Sequence, residues 1–89
     1  MATKLASWRG RSLDPRLELN TWDGGGDRAT FDVIGHPQAA VEYSEHEDLA
    51  YRWTPVRRDS RGRMLSGMYN SYRTACDAVE AILDGSAWS

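Results

Sequence analysis

Histidine, cysteine and phenylalanine are all scarce in this chain of 89 residues: two, one and one. A single cysteine, Cys76, excludes an internal disulfide framework and suits a reducing compartment. The imidazoles of His36 and His46 stand in no His-x-His or His-Glu-x-x-His spacing, and Cys-x-x-Cys is absent, so no metal site is assigned. Nucleophilic catalysis needs Ser or Cys beside a base and an orienting group, and no spacing here argues for that arrangement. The expectation is a protein that is not an enzyme, with no catalytic residue and no cofactor. Long apolar runs are missing too. Residues 1–13 carry Lys4, Arg9 and Arg11 without a hydrophobic stretch, which argues against a signal peptide or a membrane span. A soluble, cytoplasmic protein is expected.

The length suits one core and one domain. Its charge is small in sum and uneven in place. The net value is −2, with a sequence pI near 5.6. Residues 12–50 hold nine acidic side chains against Arg16 and Arg28. Residues 51–75 hold Arg52, Arg57, Arg58, Arg61, Arg63 and Arg73 against Asp59 alone. On folding, these opposite charges either mix or form separate patches.

Periodicity sets the expected elements. Residues 1–13 read as a flexible basic arm, with Leu5 and Trp8 able to dock, and Asp14-Pro15 opens a single domain over 14–85. Residues 16–22 alternate, with Leu17, Leu19 and Thr21 on one face and Glu18, Asn20 and Trp22 on the other. Asp23-Gly24-Gly25-Gly26-Asp27 is a hairpin loop, because glycine permits positive φ. Residues 29–34 form a second strand around Phe31 and Val33. Residues 39–44 alternate through Val41 and Tyr43, although Pro37 followed by Gln-Ala-Ala would also open a helix; the alternation favours a strand. Glu45-His46-Glu47-Asp48 is a polar, acidic turn. Residues 51–56 are a strand around Trp53, expected at an edge or bulged at Pro55, which has no N–H to donate. Residues 57–62 turn, and 63–69 return as a strand.

The C-terminal helix has the clearest pattern. Tyr72, Ala75, Cys76, Val79, Ile82 and Leu83 share one stripe of a 3.6-residue period, with Cys76 a small core residue. Asn70 or Ser71 would cap its start and Gly85 its end, before a tail over 86–89. The fold class is therefore α+β: an antiparallel meander of four or five strands with one C-terminal amphipathic helix packed on one face.

Two patterns bear on chemistry. Gly24-x-Gly26-x-x-Ala29 matches a dinucleotide fingerprint in letters, but the residues after it read as a strand and no helix N-terminus would meet a pyrophosphate. The arginine turn is more specific. Guanidinium groups present planar forks to phosphate or carboxylate, and Tyr51, Trp53, Tyr69 and Tyr72 lie close enough in sequence to stack with them. Arg52, Arg57, Arg58, Arg61, Arg63 and Arg73 are the candidate basic binding residues. Glu45, Glu47 and Asp48 are the candidate acidic ones, able to imitate phosphates in a basic groove.

Tyr51-Arg52-Trp53, Gly62-Arg63-Met64-Leu65 and Tyr69-x-Ser71-x-x-x-Ala75 leading into a helix resemble the ββα repeat of the YegP-like family. The same residues resemble the arm-type DNA-binding domain of phage integrases. That second likeness implies a sheet in the major groove, with Arg52, Arg57 and Arg63 as contacts. Both cover residues 50–84 alone. In size and charge division the chain is similar to phage accessory proteins, anti-CRISPR inhibitors among them. The expected function is a non-catalytic protein-binding module, an inhibitor or adaptor acting on nucleic-acid-handling machinery through charged surfaces. The alternative is direct nucleic-acid binding by the arginine hairpin, against which the acidic pI counts.

Overall fold

The computed structural model describes residues 3–4, 7–8, 11–22, 28–44, 51–65, 67 and 69–88, the first three of these segments up to Ser12 by backbone alone. Its main sheet is antiparallel throughout. β4 (Leu17–Trp22), β5 (Arg28–Val33), β6 (His36–Ser44) and β7 (Trp53–Arg57) form the expected meander, and β1 (Thr3–Lys4) adds a fifth strand beside β4. β2 (Ser7–Trp8) and β3 (Arg11–Ser12) pair with each other in a separate two-stranded sheet. The stretch expected to be a flexible arm thus contributes backbone pairing, its last residue Leu13 is buried in the core, and Asp14 just beyond it is buried too. The glycine loop of residues 23–27 lies outside the described residues, although Trp22 opposite Ala29 makes its flanks a hairpin. Ala29 itself sits in β5, not on a helix.

Residues 39–44 are strand, and β6 starts earlier, at His36. Gly35 at φ +84 permits the tight turn between β5 and β6 that a Cβ would strain. The register jumps between Asp32 and Val33, where Pro37 has no N–H for the ladder. Pro55 stands in β7, the terminal strand of the sheet, as the missing donor requires.

Alternation assigns the faces. Leu17, Phe31, Val33, Val41, Tyr43 and Trp53 are buried toward the helix. Trp53 packs edge-on to Tyr43, with ring centroids 4.7 Å apart, and lies 5.7 Å from Phe31. One expected face is corrected in β4. The register shifts between Leu19 and Thr21, so Asn20 is an extra residue on its strand. Such a bulge inverts the alternation beyond it. Thr21 pairs with Thr30 on the open face, and Trp22 turns inward to pack on the core.

The helix α1 (Ala75–Leu83) packs against β6 and β7. It starts later than expected. Thr74, not Asn70 or Ser71, is its N-cap, and the Thr74 hydroxyl accepts from Asp77 N at 3.0 Å. Its buried positions are Ala75, Ala78, Val79, Ala81 and Ile82. The stripe is therefore turned away from Cys76, which is exposed, and from Leu83, which is 42% exposed. Ala75, Ala78 and Ala81 carry one methyl each, so the helix can lie close on the aromatic layer beneath. Gly85 ends the helix at φ +82. Residues expected to be a tail then form a 3-10 turn, Ser86–Trp88, which buries Ala87.

The remaining correction concerns residues 63–69. The described residues among them return along β7 without forming a strand. A single bridge joins Arg58 to Met64, and Leu65 N donates to Arg57 O at 2.8 Å. Further along the same edge Tyr72 and Trp53 exchange both backbone bonds, at 3.0 and 2.6 Å. Pro55 lies between these two attachments with no donor, so a continuous ladder cannot form there. Among the described residues the return meets the sheet edge at these two points.

Candidate binding surface

Asp59 builds the arginine turn. Its Oδ1 accepts from Arg61 N at 2.9 Å and from Arg63 N at 3.0 Å. Its backbone N–H donates to Arg63 O at 2.8 Å, and its carbonyl accepts from Gly62 N at 3.0 Å. Gly62 supplies the positive φ, +82, that closes the loop. One aspartate thus fixes the backbone on which Arg61 and Arg63 stand. Both are exposed, and so are the two residues that follow, Met64 at 49% and Leu65 at 40%.

The six arginines do not form one patch. Trp53 faces the helix, so Arg52, Thr54, Val56 and Arg58 alternate to the open side while Arg57 stays on the helix side. Arg58 makes a 2.7 Å ion pair with Asp32, its side chain 16% exposed. To join β7 to β5 that side chain must cross β6, where Ala40 stands opposite both Asp32 and Val56. A larger residue than alanine would block the path. Asp32 also accepts from Asn20 Nδ2 at 2.8 Å, which ties the β4 bulge into the same cross-strand chain. Arg73 lies 5.0 Å over the Tyr51 ring and donates to its hydroxyl at 3.2 Å. Arg57 lies 5.5 Å over the Trp88 ring. Arg52 is half-buried, and its carbonyl accepts from Ser44 N at 3.0 Å. The open face mixes signs, with Glu18, Asp32 and Glu42 beside Arg28, Arg52 and Arg58.

Trp88, missed in the sequence because it falls in the supposed tail, connects the helix side of this surface. Tyr69 packs edge-on to it at 6.3 Å, and the Tyr69 hydroxyl donates to Leu65 O. Leu65 in turn bonds Arg57, which closes the circuit back to Trp88. An aromatic near the C-terminus was the only sequence signal for it. The acidic candidates Glu45, Glu47 and Asp48, with His46, lie outside the described residues.

A second charged cluster was not foreseen. Arg16 grips Asp14 with two bonds, Nε to Oδ1 at 2.8 Å and Nη2 to Oδ2 at 2.7 Å, and reaches Glu80 Oε1 at 3.3 Å. Asp14 also accepts from Arg16 N at 2.8 Å. Donation from Arg16 holds the Asp14 carboxyl below its ordinary range, and the Arg16 guanidinium is raised by the same bond. Partial desolvation, followed by the Asp14 charge, pushes the Cys76 thiol upward, away from the thiolate a nucleophile needs. This cluster fastens the entry of β4 to the helix. Among the described residues no three His, Cys, Asp or Glu side chains converge as metal ligands would. No helix among them is long and apolar enough to cross a membrane.

Comparison of the chain with protein-family models, with curated proteins and with solved structures gave no match.

Proposed function

We propose that this chain is a non-catalytic protein-binding module that offers its arginine turn to an acidic patch on another protein. The observation that carries the reading is the exposure of Met64 and Leu65 directly after Arg61 and Arg63, on a backbone held by Asp59. Phosphate oxygens reward donors and leave apolar side chains wet. A protein partner can desolvate a methionine and a leucine while pairing the guanidinium groups, and arginine and methionine are enriched at such interfaces. A turn already ordered in the free protein also lowers the entropy lost on binding. Arg58 is committed to Asp32, and the open face carries carboxylates among its arginines, so a phosphate backbone laid there would meet repulsion as well as attraction. The likeness of the chain to phage accessory inhibitors supports a partner from nucleic-acid-handling machinery, and an inhibitor or adaptor role.

Pull-down from a cell lysate treated with nuclease, followed by mass spectrometry, tests the reading alongside duplex DNA anisotropy at two salt concentrations. The expected result is a protein captured in spite of nuclease and lost with Arg61→Ala/Arg63→Ala. Free duplex should bind at roughly 100 µM or weaker near physiological salt. Sub-micromolar, steeply salt-dependent DNA binding that disappears in the double variant would replace this reading with direct nucleic-acid recognition.

A further inference from the structure

Beside the Arg57–Trp88 stack is a groove of about 320 Å³ between the β5–β6 turn and the C-terminal 3-10 turn. Ala39 and Ile82, both nearly buried, form its floor, while Pro37 and Trp88 add apolar walls and His36 and Arg57 carry its polar rim. None of the residues lining it is acidic, in a chain whose net charge is negative. Asp84, close by in sequence, accepts from Ser86 N at 2.8 Å. The helix carbonyls that end nearby are also engaged: Glu80 O accepts from Asp84 N at 3.0 Å and Ile82 O from Gly85 N at 3.3 Å. The Arg57 guanidinium lies over the Trp88 ring, 5.5 Å from its centroid, which places its charge at the rim of the groove.

The groove is also continuous with the arginine turn. Leu65 bonds Arg57, Tyr69 bonds Leu65, and Tyr69 packs on Trp88, which carries Arg57. We infer that the partner engages this chain through an extended acidic peptide segment, with an apolar side chain seated on Ala39 and Ile82 and a flanking carboxylate on Arg57. The next carboxylates along such a segment then meet Arg63 and Arg61. This inference rests on the protein-binding reading above and specifies what the partner presents. The volume lies at the low end of small-ligand sites, which suits side chains of a single extended segment and not a folded element. A nucleic acid would supply phosphates for the rim but no aliphatic group for the floor.

A nitrogen–proton correlation titration with a capped hexapeptide of alternating leucine and aspartate tests it. The expected result is a shift of the Trp88 indole N–H together with the amides of Ala39 and Ile82. The counterpart with asparagine for every aspartate should bind well over tenfold more weakly, and the aspartate peptide should bind Arg57→Gln about tenfold more weakly, as expected for one lost charge-assisted contact. Equal binding of the two peptides, shifts confined to residues 61–65, or equal shifts with a short oligothymidylate would each overturn the groove assignment. Nuclease-resistant capture that needs Arg61 and Arg63 but is indifferent to Arg57→Gln would leave the protein-binding reading standing without the groove. Loss of nuclease-resistant capture altogether would remove both.

Discussion

Phe31, Val41 and Trp53 lie under the helix, while their strand neighbours Asp32, Ala40 and Thr54 look the other way. The two faces are held by different physics. Toward the helix, aromatic and branched side chains leave water, and the gain scales with apolar area. On the open face polar contacts run across the strands: the Arg58–Asp32 ion pair over Ala40, the Asn20–Asp32 hydrogen bond, and separately Thr54 to Ser71 at 2.7 Å. The comparison explains the arginine-rich segment. Neighbouring arginines there serve unlike ends because strand parity sends Arg58 into the open-face contacts and Arg57 to the helix side, while Arg61 and Arg63 stand beyond the strand on the turn.

The strongest way to break the comparison is at the helix-side face. Phe31→Ala should cost about 3–5 kcal/mol, since a fully buried ring leaves a cavity the aromatic layer cannot close. Urea unfolding measures it, and a loss below about 1 kcal/mol would mean that this face is not the core. The open face should give less. Arg58→Ala should cost about 1–3 kcal/mol, because it strands a partly buried carboxylate at Asp32. A double-mutant cycle with Asp32→Asn should recover part of that loss, and strict additivity would show that the pair is not coupled.

The third prediction concerns acid. The Asp14 carboxyl titrates lower in the folded protein than in the unfolded chain, chiefly through its bonds from Arg16. Its contribution is therefore fully present above the unfolded value of about 3.9 and is lost as pH falls through the folded one. Thermal melts of the wild type and Asp14→Asn should differ near neutral pH and converge toward pH ~2. A constant gap across that range would show that the Arg16 clasp adds no pH-dependent stability. The smallest change should come from Arg61→Ala/Arg63→Ala, within about half a kcal/mol, even as partner capture is lost.

How far the sequence reached depended on whether a local pattern had a competitor. The strand-and-helix order could be read because β5, β6 and β7 alternate around Phe31, Val41 and Trp53, because Gly85 permits the positive φ that ends the helix, and because Pro55 withholds a donor. Helix rotation was harder. Alanine adds little to a hydrophobic pattern, so Ala78 and Ala81 went unweighted and Cys76 and Leu83 were drawn into a stripe that leaves them outside. The bulge at Asn20 gave no local signal either, since only pairing with Thr30 reveals the extra residue.

Of the surface, the arginines and the turn that carries them were legible by composition. Their division was not, because parity relative to a core is defined only once the helix covers one face. Trp88 joined the site for the same kind of reason: its neighbours Arg57 and Tyr69 are far from it in sequence and meet it only when the 3-10 turn folds back. By itself the amino-acid order determined that β4 to β7 extend, that the segment of α1 coils and where charge concentrates, all properties of residues near one another in the chain. The tertiary structure alone decided which arginine is consumed in holding the sheet and which stays exposed on the turn, because burial and pairing depend on residues distant in sequence.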